Sequence, residues 1–203
     1  MKPVYRFDIE QNSDEWYEIK LGMFSASTCP ELLMDKKTKG YTGLINRIVE
    51  ERITGERCEN NTFKGNWATE RGHEFEPLAR NDYELRNLQV VKQIGVVVLN
   101  KWALCSPDGL INDNGLHQIK CPIFSTQKEY LEKNKIPTNY YKQMQFELFI
   151  TGRDYNVFTS FHPKLRALDI IVNRDEVIIA EIKQRLNEAI KEVKEEIKRI
   201  KQL

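Results

Sequence analysis

Short stretches where apolar and polar residues alternate, and longer ones where apolar residues recur every three or four positions, divide this chain into strands and helices. The helical period predicts a short helix around Ser13 to Lys20 with Ser13 as cap, another beginning near Ser27, a long one from about Tyr41 to Thr54 stopped by Gly55, and one over Thr69 to Arg86. A loop rich in Asn and Gly, Glu56 to Asn66, precedes the last of these. Strands are expected near Gln89 to Leu99, Trp102 to Asp108 and Leu116 to Cys121, followed by a helical stretch Ser125 to Lys133 and a helix Tyr140 to Thr151. Two more strands, Tyr155 to Phe161 and Leu168 to Val172, precede a C-terminal helix beyond Asp175. On that helix Ile179, Ile182, Leu186, Ala189 and Val193 form one apolar stripe, suited to covering the sheet of its own domain or to a subunit contact. With no internal repeat, low-complexity tract or linker, the pattern predicts a single domain over 1–203. Its expected class is α/β (α+β), a central mixed sheet flanked by helices.

Composition narrows this picture. At 203 residues the chain is long enough for a sizeable core, with roughly 70% of its unfolded surface buried. The cysteines, Cys29, Cys58, Cys105 and Cys121, are scattered without metal-like spacing, which points to a reducing cytoplasm. Charges throughout the first twenty residues argue against a signal peptide, and the longest apolar run, near Val96 to Leu99, is too short to span a bilayer. Lys and Arg number 31 against 30 Asp and Glu, so the net charge of +1 does not announce a polyanion partner. Charge is instead local: Lys36, Lys37 and Lys39 precede Gly40 in a loop fit to touch a phosphate backbone or simply to be solvated.

The chemistry concentrates in Ser106-Pro107-Asp108-Gly109 and in Gln118-Ile119-Lys120-Cys121-Pro122, joined by a turn at Asn112-Asp113-Asn114-Gly115. In a strand, positions 118 and 120 share a face, so Gln118 and Lys120 would look toward Asp108 while Ile119 points into the core. A carboxylate and a lysine on one face suit phosphodiester cleavage, where a hard cation takes oxygen ligands and an ammonium stabilises developing negative charge. His117 reads as an exposed strand residue. Glu74 reads as surface, and Arg71 and Arg80 as either phosphate contacts or partners of acids.

Several blocks extend the likeness along most of the chain. Trp16-Tyr17-Glu18-Ile19-Lys20-Leu21-Gly22 and Ser25-Ala26-Ser27 come first, then Arg71-Gly72-His73-Glu74-Phe75-Glu76-Pro77-Leu78-Ala79-Arg80. After SPDGL and QIKCP, a segment from Pro137 through Tyr140, Gln143 and Gln145 ends in Thr151-Gly152. In this order they resemble the phage-type exonucleases typified by lambda exonuclease and the YqaJ-like viral recombinases, which carry a PD-(D/E)xK core on a restriction-endonuclease-like fold. The resemblance implies a Mg²⁺ site, with Mn²⁺ as a substitute, formed by Asp108, Gln118, Ile119 and Glu76, with Lys120 as the catalytic lysine. It implies that Lys20, where the family usually has an arginine, grips a 5′-phosphate, and that Ser25, Ser27, Ser106 and Gln143 line a DNA end. It also implies 5′-to-3′ degradation of double-stranded DNA ends, leaving 3′ overhangs for a single-strand annealing protein, by a homotrimer in the cytoplasm of a phage-bearing host. Related activities of the same core are restriction or nicking endonucleases and catalytically silent DNA binding.

The sequence departs from the motif at Gln118, where the family has Asp or Glu. A carboxamide brings no charge and adds two donors that a metal cannot use, so weaker metal binding and slower cleavage are expected. Three accounts of it stand: a substitution introduced to trap a substrate complex, natural tolerance of glutamine, and loss of catalysis with DNA binding retained.

Overall fold

The computed structural model describes residues 2–58 and 67–203. Most of the loop expected over Glu56 to Asn66 therefore lies outside the described residues. The elements run β1 (Val4–Arg6), α1 (Asp14–Glu18), β2 (Phe24–Ser25), a 3₁₀ turn (Ala26–Thr28), α2 (Cys29–Leu32), α3 (Lys39–Thr54), α4 (Trp67–Asn87), β3 (Val91–Lys92), β4 (Val96–Asn100), β5 (Ala103–Cys105), β6 (Gly109–Ile111), β7 (Gly115–Lys120), α5 (Phe124–Lys133), α6 (Thr138–Thr151), β8 (Tyr155–His162), β9 (Leu165–Asn173) and α7 (Glu176–Ile200). Helix boundaries follow their local chemistry. The Ser13 hydroxyl accepts from the Trp16 N–H to start α1, and Thr38 does the same for Tyr41 at α3. Gly55 and Gly152, both at φ 73°, end α3 and α6 in the left-handed conformation that glycine tolerates.

The expected mixed α+β architecture is present, but its strands divide into two sheets, ordered β1-β4-β5-β2 and β3-β6-β7-β8-β9. Both are mixed, with β2–β5 and β7–β8 as the parallel pairs. The stretch expected as one strand, Gln89 to Leu99, breaks into β3 and β4 in different sheets. Gly95 lies at the break, where an added Cβ would collide with the Ile9 backbone. The strand expected over Trp102 to Asp108 likewise stops at Cys105, and Ser106 to Asp108 carry the chain from one sheet to the other. The β6–β7 hairpin turns through Asn112, at φ 48°, and Gly115 already belongs to β7, where a Cβ would strike the Tyr155 ring.

The main core joins Phe24, Leu104's neighbours Ala103 and Cys105, and Leu116 to Tyr41, Ile45 and Ile48 of α3, Phe146 and Leu148 of α6, and the α7 stripe Ile179, Ile182, Leu186, Ala189 and Val193. The stripe is thus buried within its own chain, and a subunit contact through it is overturned: α3 and α6 already cover it. Helix α4 packs on the opposite face of β7 and β8, placing Tyr83 against Val91, Ile111 and Val157. That helix corrects the reading of His117. Lying in a central strand, it is fully buried, with its ring 4.3 Å from that of Tyr83 and Nε2 2.7 Å from the Thr159 hydroxyl. Burial pulls His117 down to about 4, so it is a neutral structural residue. No helix among the described residues is long and apolar enough to cross a membrane.

Candidate active site

The site begins with strand register. Gly109 of β6 pairs with His117 of β7, so the preceding residue, Asp108, lies opposite Gln118. Glycine is required at 109 because a Cβ there would run into Val91. Asp108 Oδ2 accepts the Ile119 backbone N–H at 2.6 Å and the Gln118 side-chain N–H at 2.5 Å. The Ile119 side chain is buried, as its alternation requires. Across the cleft, α4 brings Glu76, which pairs with Arg80 one turn on at 2.5 Å. Arg80 is therefore a partner of an acid.

Glu76 and Asp108 line two clefts of about 510 and about 330 Å³, which also share His73, and Lys120 lines the smaller one. The Lys120 ammonium lies 5.2 Å from the centre of the Tyr140 ring on α6. Burial, and then the Asp108 charge, pushes Glu76 up to about 7. Burial also raises Asp108, against the Lys120 charge and the Ile119 N–H, which lower it. Two partly buried carboxylates set close enough for the Asp108 charge to raise Glu76 favour a bound cation. Among the described residues no three of His, Cys, Asp and Glu meet as a metal-binding group. The place of a third acid is held by Gln118, 1% exposed, whose oxygen accepts from Gln143 Nε2 at 2.8 Å and whose N–H faces Asp108. The carboxylate oxygens of Asp108 and Glu76 suit a hard cation, whereas the Gln118 oxygen is held by Gln143.

A third cavity, of about 790 Å³, is lined by Lys20, Arg47 and Arg57, by Glu31, Glu50 and Glu51, and by Ser25 and Ser27. The Lys20 ammonium sits 3.3 Å from the centre of the Trp16 ring, and Ser25 and Ser27 share a hydrogen bond of 3.0 Å. The Trp16 indole N–H donates to the Ser106 hydroxyl at 2.9 Å, tying this cavity to the residue two before Asp108. Asn12 lines both this cavity and the larger acidic cleft. The three loop lysines are less uniform than expected. Lys36 pairs with Glu188 of α7 at 2.9 Å, Lys37 is exposed, and Lys39 opens α3 because Thr38 caps that helix.

Sequence reading passed over His73, Arg47, Arg57 and Glu147. Glu147 is fully buried under Gln143, with burial as the first cause and the Asp108 charge as the second pushing it up to about 8. An acid between Phe146 and Leu148, within an otherwise apolar turn, was the signal available for it.

An acidic cleft with one lysine, set at the junction of two mixed sheets and joined to a cavity that holds Lys20, Arg47 and Arg57 among as many acids, is an arrangement suited to a nuclease. The model of the YqaJ-like viral recombinase domain matches residues 15–154. This chain belongs to that family. An alkaline exonuclease from Laribacter hongkongensis, LHK-Exo, has a crystal structure similar to it at a TM-score of 0.86 and 30% identity, over 94% of this chain and 97% of that one. A second structure, of LHK-Exo in complex with dAMP, matches to the same extent. A phage-related exonuclease from Haemophilus somnus 129PT shares the fold at 17% identity and a TM-score of 0.69, over 88% of this chain and 96% of that one. No curated protein matches.

Proposed function

We propose that this chain is a Mg²⁺-dependent exonuclease that degrades the 5′ strand from the ends of linear double-stranded DNA, leaving 3′ overhangs for a single-strand annealing protein. The observation that carries the reading is the junction of the larger Asp108 and Glu76 cleft, which shares both acids with the cleft of Lys120, with the Lys20 cavity through Asn12 and the Trp16–Ser106 hydrogen bond. A terminal phosphate held in the Lys20 cavity would lie beside the cleft that is to cut the adjoining phosphodiester. The dAMP bound by LHK-Exo is a nucleotide of the kind such a reaction releases. Asp108 and Glu76 would hold Mg²⁺, with oxygen from Gln118 and Ile119 in support; the ion, when bound, polarises a phosphoryl oxygen and acidifies a water. Lys120 stabilises the negative charge that develops on the phosphoryl group. Lys20, Ser25 and Ser27 hold the terminal phosphate, without the bidentate fork of an arginine. With Mg²⁺, linear duplex bearing 5′-phosphates should be degraded while covalently closed circles survive. Nicking or linearisation of the circles would make this an endonuclease instead.

A second reading, a DNA-end-binding protein without catalysis, draws on one observation: the Gln118 amide offers Asp108 an N–H where a metal ligand needs an oxygen.

The phosphate grip makes a prediction of its own. Burial, followed by the Arg47 and Arg57 charges, lowers Lys20 to about 7, so above that pH its amine is largely neutral in the free protein. A bound phosphate favours the ammonium form and raises that value again. Binding of a 5′-phosphorylated duplex at about pH 8 should therefore take up close to one proton, read by calorimetry in buffers of different ionisation enthalpy. Lys20→Met should abolish the uptake. Equal uptake by Lys20→Met would remove the lysine from this role.

A further inference from the structure

The buried polar side chains behind Gln118 form a chain with a definite direction. Asn156 Nδ2 donates to Glu147 Oε2 at 2.7 Å, and Gln143 Nε2 spends its two hydrogens on Glu147 Oε1 at 3.2 Å and on Gln118 Oε1 at 2.8 Å. Gln118 Nε2 then donates to Asp108. When both ends are ionised they only accept, and Gln143 and Gln118 must then each turn nitrogen toward the carboxylate they meet. We infer that Glu147 is a positioning residue: through Gln143 it sets which atom of the Gln118 amide faces Asp108, and as a carboxylate it turns the Gln118 oxygen away from the cleft. This rests on the proposed metal site at Asp108 and Glu76.

For Gln118 to face a cation with oxygen, its N–H must swing to Gln143. Gln143 must then turn as well and present its own oxygen to Glu147. A carboxylate cannot meet that oxygen, whereas a protonated acid or an amide can, because each carries a donor. The charged and titratable groups around Glu147 are Asp108 and Lys120 toward the cleft and the Cys29 and Cys105 thiols toward the core. Burial favours the protonated acid, so the donor that reverses the chain is available near neutrality.

Charge alone and chain direction predict opposite signs for Glu147→Gln. Removing a negative charge near a cation site weakens binding; supplying a donor to Gln143 releases the Gln118 oxygen and strengthens it. The test is Mg²⁺ titration by calorimetry of the full chain at about pH 9, a unit above the value that burial gives Glu147. Glu147→Gln should bind Mg²⁺ about 10-fold more tightly than the unaltered protein, the scale on which partners of metal ligands act. Glu147→Leu, which also removes the acceptor, should change in the same direction and serves if the first variant folds poorly. In a Gln118→Glu background, where no amide has to turn, Glu147→Gln should give no gain. Weaker or unchanged binding by both Glu147 variants, or an equal gain in the Gln118→Glu background, would overturn the role of Glu147 while leaving the metal site standing. Mg²⁺ binding that survives Asp108→Ala would overturn the metal site itself, and this inference with it.

Discussion

Gln118→Glu is expected to speed degradation of linear duplex DNA at limiting Mg²⁺ by at least ~10-fold, about 1.4 kcal/mol of transition-state stabilisation. The substitution replaces the N–H that now caps Asp108 with an oxygen and adds a negative charge beside a carboxylate that burial already raises. Glutamate is the same size as glutamine, and Gln143 Nε2 donates to either, so the fold and the local packing should persist. The measurement is release of acid-soluble nucleotide across a Mg²⁺ series, with thermal melting of both forms as the control. Equal rates would make glutamine a competent ligand in this setting, in line with natural tolerance. Failure of both forms to cleave with any divalent metal, while DNA ends are still bound, would favour the catalytically silent reading.

How far the sequence discloses this site depends on whether the interactions involved are local. The alternation of Gln118, Ile119 and Lys120 is a property of one strand, and the structure places Gln118 across from Asp108 as that alternation requires. Caps and stops such as Ser13, Gly55 and Gly152 are equally local. The division into two sheets was not legible, because strand pairing is set between segments far apart in the chain, as where Gly95, at the break, lies close against Ile9. His117 was misread for a related reason. Period-two alternation predicts one wet face, but β7 is covered on both faces, by α4 and by the main core. The α7 stripe was visible as a stripe, yet only the packing of α3 and α6 against it decides what it covers. Glu147 shows a similar limit. An acid within an apolar helical turn signals a buried polar contact, but its partners Gln143, one turn back, and Asn156, on strand β8, are known only from the fold.

The central claim is that Asp108, Glu76 and Lys120 act as one catalytic unit, and its most direct test is the cleavage rate of single alanine variants on a linear duplex. In a Gln118→Glu background, Asp108→Ala and Lys120→Ala should each reduce degradation by roughly 10² or more, the effect of losing a principal electrostatic stabiliser. Members of one unit fail together, so the double variant should be little worse than either single one. DNA-end binding should persist in both, because Lys20, Ser25 and Ser27 lie in the neighbouring cavity. Near-normal rates in either single variant, with the protein folded and the DNA bound, would contradict the assignment of this cleft as the active site.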